Sequence, residues 1–262
     1  MTWLQALGLS IIEGLTEYLP VSSTGHLILA SAIMGLNDDA FAKSFNIIIQ
    51  FGAILSVVAL YFRRLKAPLS FYAKITIGFI PAAILGLLVK DKIDALLGSV
   101  NTVAIALFVG GIILVLVDRK KDKVERGKTI ESMTYKEALM IGLCQCFAFV
   151  PGVSRSAASI LGGLGFGLSR KDAAEFSFFL AVPTLTGATV IKSLKIFPSI
   201  TQDQISLLAI GTFASFVVGC LAIRVFIDFL TKKGFFVFGI YRIAVGTLIF
   251  VLAQLGWHLT AG

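Results

Sequence analysis

The chain has 262 residues, 57% of them hydrophobic and only 15% charged, with a formal charge of +8 at neutral pH. Soluble domains carry about 45–50% apolar and about 25% charged residues, and here the apolar excess runs the whole length, which excludes a soluble domain on a single anchor and predicts an all-α integral membrane protein. No soluble module remains to bear a basic face, so the positive charge argues for membrane orientation and against a nucleic-acid partner.

In chain order, the N-terminus lacks a basic stretch and a small-residue cleavage site, and no cleavable signal peptide is expected. A first apolar region, 2–36, is cut by Pro20 and the "SSTGH" that follows. Three runs at 43–62, 72–89 and 100–117 come next, each close to the roughly 20 apolar residues that cross a bilayer. The basic run "DRKKDKVERGK" lies in a loop at 118–133 and reads as a solvated face. A second broken region, 134–168, is cut by "VPGVSRSAAS", Val150 to Ser159, and three further spans follow at 173–193, 205–230 and 235–259. Each half of a broken region is too short to cross alone, which suits a re-entrant helical hairpin. Irregular backbone at membrane depth is tolerated only when buried in protein or lining a wet cavity.

The two breaks are related. Pro151 follows Pro20 by 131 residues, and Phe176 follows Phe45 by the same interval. Gly219 follows Gly86 by 133, and Ile227 of "IDFLT" follows Ile93 of "IDALL" by 134. Repeat one, 1–117, and repeat two, 134–262, then each hold one re-entrant hairpin and three full spans. Three is odd, so the second copy starts on the opposite side of the membrane: an inverted-topology repeat. Thirteen cations fall in the loops on one side (Arg63, Arg64, Lys66; Arg119, Lys120, Lys121, Lys123, Arg126, Lys128; Arg170, Lys171; Lys232, Lys233). Five fall on the other: Lys43, Lys90, Lys92, Lys192 and Lys195. The positive-inside rule assigns the first side to the cytoplasm and both termini to the outside.

Hairpins entering from opposite sides bring their breaks together near the midplane, where broken helices aim N-termini at anions. Ser22, Ser23 and Thr24 follow Pro20, and Ser154, Arg155 and Ser156 follow Pro151. Free N–H groups and hydroxyls there make a cradle for phosphate oxygens, and Arg155 adds a planar fork. Glu13 and Glu17 are four apart, on one helical face, a turn before the first break. Like charges at that spacing call for a cation between them, a shared proton, or Arg155 opposite. A divalent metal takes oxygen ligands of this kind and bridges them to phosphate. His26 sits one turn after Ser23 and is expected as general base or acid, or as a phosphate-positioning group; the other histidine, His258, lies at the C-terminal membrane edge. A serine beside a base and an arginine attacks phosphorus directly, or binds phosphate while an activated water attacks.

Other features read as packing. Cys144, Cys146 and Cys220 are an odd set inside apolar runs, expected as small hydrophobes without a disulfide or metal. The "GGLGFG" run at 162–167 permits close helix approach, and Phe176, Phe178 and Phe179 are core or lipid-facing. Asn46, Gln50 and Thr186 are polar within spans and candidates to line the cavity.

At "EGLTEYLPVSSTGH" and "PGVSRSAAS" the chain closely resembles the bacterial undecaprenyl-diphosphate phosphatase family, also called the bacitracin-resistance protein family, over essentially its whole length. The resemblance implies a multi-pass enzyme of the bacterial inner membrane. It removes the terminal phosphate of undecaprenyl diphosphate and recycles the carrier used for cell-wall polymers, with a site facing outward and a divalent cation, Mg²⁺ or Ca²⁺, as cofactor. On matching positions it implies essential carboxylates at Glu13 and Glu17, a nucleophile at Ser23, a histidine at His26 and an arginine at Arg155. The paired carboxylates Glu13 and Glu17 are the candidate ligands of the cation on their chemistry. The expected partners are the lipid substrate and the membrane, with a homodimer one expected assembly. Where the family continues "SRSG" with a following Thr, this chain has Ala157 and Ser159. The rival reading is an inverted-repeat transporter or flippase for a phosphorylated lipid. The asymmetry of the two breaks, acids and histidine on one and arginine on the other, favours chemistry.

Overall fold

The computed structural model describes residues 1–89, 99–118 and 127–257. The expected cytoplasmic cations from Arg119 to Arg126, the outer Lys90 and Lys92, the repeat match at Ile93 and the edge residue His258 lie outside the described residues.

Eleven α-helices are described: α1 (Trp3–Thr16), α2 (Ser23–Ile33), α3 (Ala40–Ile48), α4 (Gln50–Leu60), α5 (Leu69–Leu88), α6 (Val100–Asp118), α7 (Tyr135–Gln145), α8 (Arg155–Gly165), α9 (Arg170–Ile196), α10 (Gln202–Lys233) and α11 (Phe236–Gln254). Among the described residues no strand forms; a single isolated bridge joins Lys128 to Leu168. Polar caps set several helix starts. Thr2 with Gln5, Thr134 with Glu137 and Thr201 with Gln204 each close a reciprocal capping box, and Asp39 and Ser169 accept from the first turns of α3 and α9.

Six helical stretches are long and apolar enough to cross a membrane: Ala40–Leu60, Leu69–Leu88, Val100–Asp118, Arg170–Ser199, Gln202–Lys233 and Phe236–Gln254. They correspond to the six expected spans. Two run longer than the hydrophobicity indicated, because the capped polar turns at Ser169 and Thr201 extend α9 and α10 beyond the apolar stretch. The remaining α1, α2, α7 and α8 have 14, 11, 11 and 11 residues. At a rise of about 1.5 Å per residue none reaches across a hydrocarbon core of about 30 Å.

The short helices are tied to long ones by close backbone approach. A Cβ on Gly14 of α1 would stand 2.7 Å from the Ser215 carbonyl of α10, and Gly142 of α7 abuts the Gly78 carbonyl of α5 with no room for a side chain. Glycine at these positions lets α1 lie against α10 and α7 against α5. The largest buried cluster gathers Tyr18, Phe176, Phe178, Ile223 and Phe226 around α9. A smaller cluster locks α2 to α6 and α11 through Ile28, Val103, Leu107 and Ile249.

One end of the bundle carries a charged tie. Asp118 accepts from Arg170 at 2.9 Å and from the Phe236 backbone N–H at 3.2 Å, joining the end of α6 to the starts of α9 and α11. At the same end Arg64 pairs with Glu131, and Lys74 is buried, donating to the carbonyls of Ile130 and Glu131. The described tail of the 118–133 loop is therefore docked rather than simply solvated: Ile130 is fully buried and its N–H reaches Asp172 at 3.0 Å. Burial of the Lys74 stem and the Asp172 carboxylate, which accepts from Ile130 N–H and from the Ser169 hydroxyl, explain that docking.

Candidate active site

The segments between α1 and α2 and between α7 and α8 turn in the same unusual way. Ser22 has φ 68° and Ser154 φ 74°, the only non-glycine residues with positive φ among those described, and each precedes the first residue of its helix. Left-handed conformations cost a side-chain-bearing residue on the order of 1–2 kcal/mol and concentrate at functional turns. Both turns aim a helix N-terminus at one cavity of about 160 Å³. Its polar lining is Glu17, Ser22, Ser23, Thr24, Gln50, Ser154 and Arg155.

Glu17 is the hub. Its Oε2 accepts from the Ser23 hydroxyl at 2.6 Å, and its Oε1 accepts from Arg155 Nη2 at 2.8 Å. Both partners of the ion pair are buried, so the attraction is little screened. The other arginine nitrogen, Nη1, donates to the Ser177 carbonyl at 3.0 Å, and the guanidinium carbon lies 5.5 Å from the centre of the Tyr18 ring. Arg155 Nε is buried without a hydrogen-bond partner. Ser159 supports this arrangement, donating to the Arg155 carbonyl at 2.8 Å and hydrogen-bonded to the Ser177 hydroxyl at 2.7 Å. Its hydroxyl props the arginine and does not line the cavity.

Glu13 is fully buried behind Glu17, and neither of its carboxylate oxygens has a hydrogen-bond partner. A buried, unsatisfied carboxylate beside a second carboxylate is costly unless something fills the gap. Two carboxylates suit a hard divalent cation. Among the described residues no group of three or more His, Cys, Asp or Glu converges, so Glu13 and Glu17 are the side chains that would hold such an ion.

The remaining expected residues divide. Ser22 and Thr24 line the cavity, and Ser22 makes no side-chain cap, leaving its hydroxyl free for a ligand. Ser154 lines it too but also accepts from the Ala157 N–H at 3.2 Å. Ser156 is turned away, fully buried, donating to the Leu19 carbonyl at 2.8 Å and so stitching the second turn to the first. His26 is outside the lining. Its Nδ1 lies 2.8 Å from the Ser22 carbonyl and its Nε2 2.7 Å from the Tyr241 hydroxyl, with the two rings stacked. Of the three polar span residues, Gln50 lines the cavity, Asn46 reaches Ser31 at 3.4 Å, and Thr186 is not in the lining.

Sequence reasoning missed Arg242 and Tyr241. Arg242 is a fully buried cation in the middle of an apolar span, a signal that the count of loop cations passed over.

The matching sequence family is described as bacitracin resistance protein BacA, over residues 6–248. A protein of Flavobacterium johnsoniae named undecaprenyl-diphosphatase is 52% identical over 255 residues, 96% of each chain. One of the same name from Bdellovibrio bacteriovorus is 48% identical over 260 residues, 99% of each. Another, from Porphyromonas gingivalis, is 47% identical over 282 aligned positions, 99% of each.

Proposed function

The chain belongs to the bacitracin resistance protein BacA family and is an undecaprenyl-diphosphatase of the bacterial membrane, and we propose that Glu17, Ser23 and Arg155 carry its chemistry. The observation behind this reading is the Glu17 carboxylate held between a serine hydroxyl and a guanidinium at one polar cavity. A nucleophile hydrogen-bonded to a base, with the base oriented by a third group, is the constellation of covalent catalysis.

In this reading the diphosphate enters the cavity with its oxygens on the N-termini of α2 and α8, on Ser22 and Thr24, and on the Arg155 guanidinium. Ser23 Oγ attacks the terminal phosphorus, Glu17 takes the hydroxyl proton, and the bond to the bridging oxygen breaks, releasing undecaprenyl phosphate. Glu17 passes that proton to the departing phosphate oxygen. Water then attacks the phosphoserine, with the regenerated Glu17 carboxylate accepting its proton. The Ser23–phosphorus bond breaks, the proton returns to Ser23 Oγ, and inorganic phosphate leaves. The direct Ser23–Glu17 bond favours serine over an activated water as first nucleophile, and Glu17 over His26 as base. A divalent cation, Mg²⁺ or Ca²⁺, would be held by Glu13 and Glu17 and would neutralise phosphate charge. Its support is the pair of unpartnered Glu13 oxygens.

The same proposal takes the fold as an inverted repeat. α1, α2, α3–α4, α5 and α6 correspond to α7, α8, α9, α10 and α11, with α1–α2 and α7–α8 as re-entrant hairpins. Supporting it, α1 packs on α10 whereas α7 packs on α5, the exchange of partners a two-fold relation requires. Ser22 and Ser154 also stand at equivalent turns. Loop charge orients the termini outward.

The test is phosphate release from undecaprenyl diphosphate by purified Glu17→Gln, Ser23→Ala and Arg155→Ala, with denatured wild type probed for phosphoserine. Folded variants with wild-type turnover would sink the assignment. A wild type that turns over without a phosphoserine signal, while Ser23→Ala stays active, would return the first step to water.

A further inference from the structure

Irregular backbone inside a membrane bundle leaves carbonyls without helical partners, and something must satisfy them. Here a single side chain does much of it. Arg242 of α11 is fully buried and donates five hydrogen bonds, all to backbone carbonyls. Nη1 reaches Pro20 at 3.1 Å and Val153 at 3.0 Å; Nη2 reaches Gly152 at 2.9 Å and Ala106 at 3.1 Å; Nε reaches Leu107 at 3.4 Å. Five donors are all that a guanidinium has. Pro20 belongs to the turn that carries Ser22, and Gly152 and Val153 to the turn that carries Ser154. One planar group is therefore bonded to both turns and to α6.

The surrounding chain makes room for it. Gly110 of α6 faces the guanidinium so closely that a Cβ there would overlap Nη2. No carboxylate pairs with Arg242 among the described residues. Burying a charge at membrane depth without a counter-ion is costly, and solvating orphan carbonyls alone could be left to neutral donors or water. What a rigid five-donor fork adds is a fixed distance between the two turns.

We infer that Arg242 is a positioning residue of the hydrolysis, holding the two turns at the spacing that sets Ser23 and Glu17 against Arg155. The inference rests on the reading of those turns as the hydrolytic site. It predicts that loosening Arg242 harms the attack geometry more than the grip on diphosphate. Each turn keeps its own helix N-terminus and hydroxyls for phosphate oxygens, while nucleophile and cationic fork come from different turns. A displacement of about 1 Å can cost about 10²-fold in rate.

The experiment uses the full-length enzyme in detergent with undecaprenyl diphosphate. Arg242→Lys keeps the charge but offers three donors on a flexible stem, and Gly110→Ala displaces the guanidinium without touching the cavity. Per folded molecule, Arg242→Lys should lose about 10²-fold and Gly110→Ala about tenfold in kcat, with KM changed less than about threefold. Hydrogen exchange should quicken in 19–23 and 150–155 while α9 and α10 keep their protection. If Arg242→Lys fails to fold, Gly110→Ala decides alone. Wild-type kcat in the folded variants, or activity that falls only in step with the folded fraction while exchange rises evenly, would overturn the inference. Ser23→Ala run in parallel separates the two readings. If it retains turnover, the site assignment fails; if it is inactive while Gly110→Ala and Arg242→Lys match wild type, only the positioning role fails.

Discussion

The Glu17 carboxylate and the Arg155 guanidinium, 138 residues apart in the chain, meet at 2.8 Å inside the bundle. Because Glu17 also accepts from Ser23, the pair fixes the carboxylate while leaving one oxygen to the serine hydroxyl. Removing one partner of a buried ion pair typically costs about 3–5 kcal/mol, since the other charge stays buried alone. Arg155→Ala is therefore expected to lower the melting temperature as well as abolish turnover. Adding Glu17→Gln to it should recover much of the stability and none of the activity. Thermal melts and phosphate release on the two single variants and the double variant check this; additive stability losses would contradict the coupling.

His26 carries a different expectation. Both ring nitrogens are engaged, one with the Ser22 carbonyl and one with the Tyr241 hydroxyl, so its service is to hold the turn and the last helix together. Substitution by Gln should lower kcat by less than the roughly 10²–10⁴-fold typical of losing a general base, and Tyr241→Phe should lower it by a similar small factor. The pH profile of kcat should keep its shape in both. A lost limb in His26→Gln would restore the histidine to proton transfer.

Much of this arrangement is legible from residue types. Pro20 and Pro151 interrupt apolar runs, the serines follow them, and helix N-termini at breaks bind anions, so Ser22, Ser23, Thr24, Ser154 and Arg155 fall in place around one cavity. Side-chain direction is not legible. Ser156 and Ser154 are two apart on the same turn, yet only Ser154 lines the cavity, because the Ser22-like left-handed turn rotates Ser156 onto Leu19. Arg242 escapes for another reason: its partners are backbone carbonyls contributed by three distant segments, and carbonyls leave no trace in side-chain patterns.

Glu13 tests the cation. If its two free oxygens hold a divalent ion, chelator-treated enzyme should be inactive and recover with Mg²⁺ or Ca²⁺. Glu13→Gln should lose about 10²-fold in kcat, a typical scale for one electrostatic contact to the transition state, and should also lose luminescence from bound Tb³⁺. Full activity after chelation, with no ion bound, would leave the pair sharing a proton instead.

Outside the membrane spans, Lys128 beside Glu137, together with the Thr134 N–H of the capping box, lowers the Glu137 carboxyl to about 2. A carboxylate whose folded value lies below its unfolded value of about 4.3 contributes stability that is present above that unfolded value. The contribution is lost as pH falls from there toward 2. Since the pair is largely solvent-exposed, the effect should be small and weakened by salt. Glu137→Gln should bring the acid-side melting curve closer to flat between about pH 5 and 3, and an unchanged acid slope would refute the linkage.

Ser22 and Ser154 share a positive φ but differ in what the side chain does. Ser154 caps α8 through the Ala157 N–H, whereas Ser22 makes no cap. Glycine relieves the left-handed strain at either site, worth on the order of 1 kcal/mol, while replacing an N-cap serine by glycine gives back only about a few tenths of that. Ser22→Gly should therefore raise the melting temperature by roughly 2–4 °C for a chain of this size, and Ser154→Gly should raise it by less. Activity should move the other way at Ser22, whose uncapped hydroxyl is the one free to take a phosphate oxygen: a more stable, less active Ser22→Gly enzyme is the expected outcome. A Ser22→Gly enzyme as active as wild type would show that the strain is kept for backbone geometry alone.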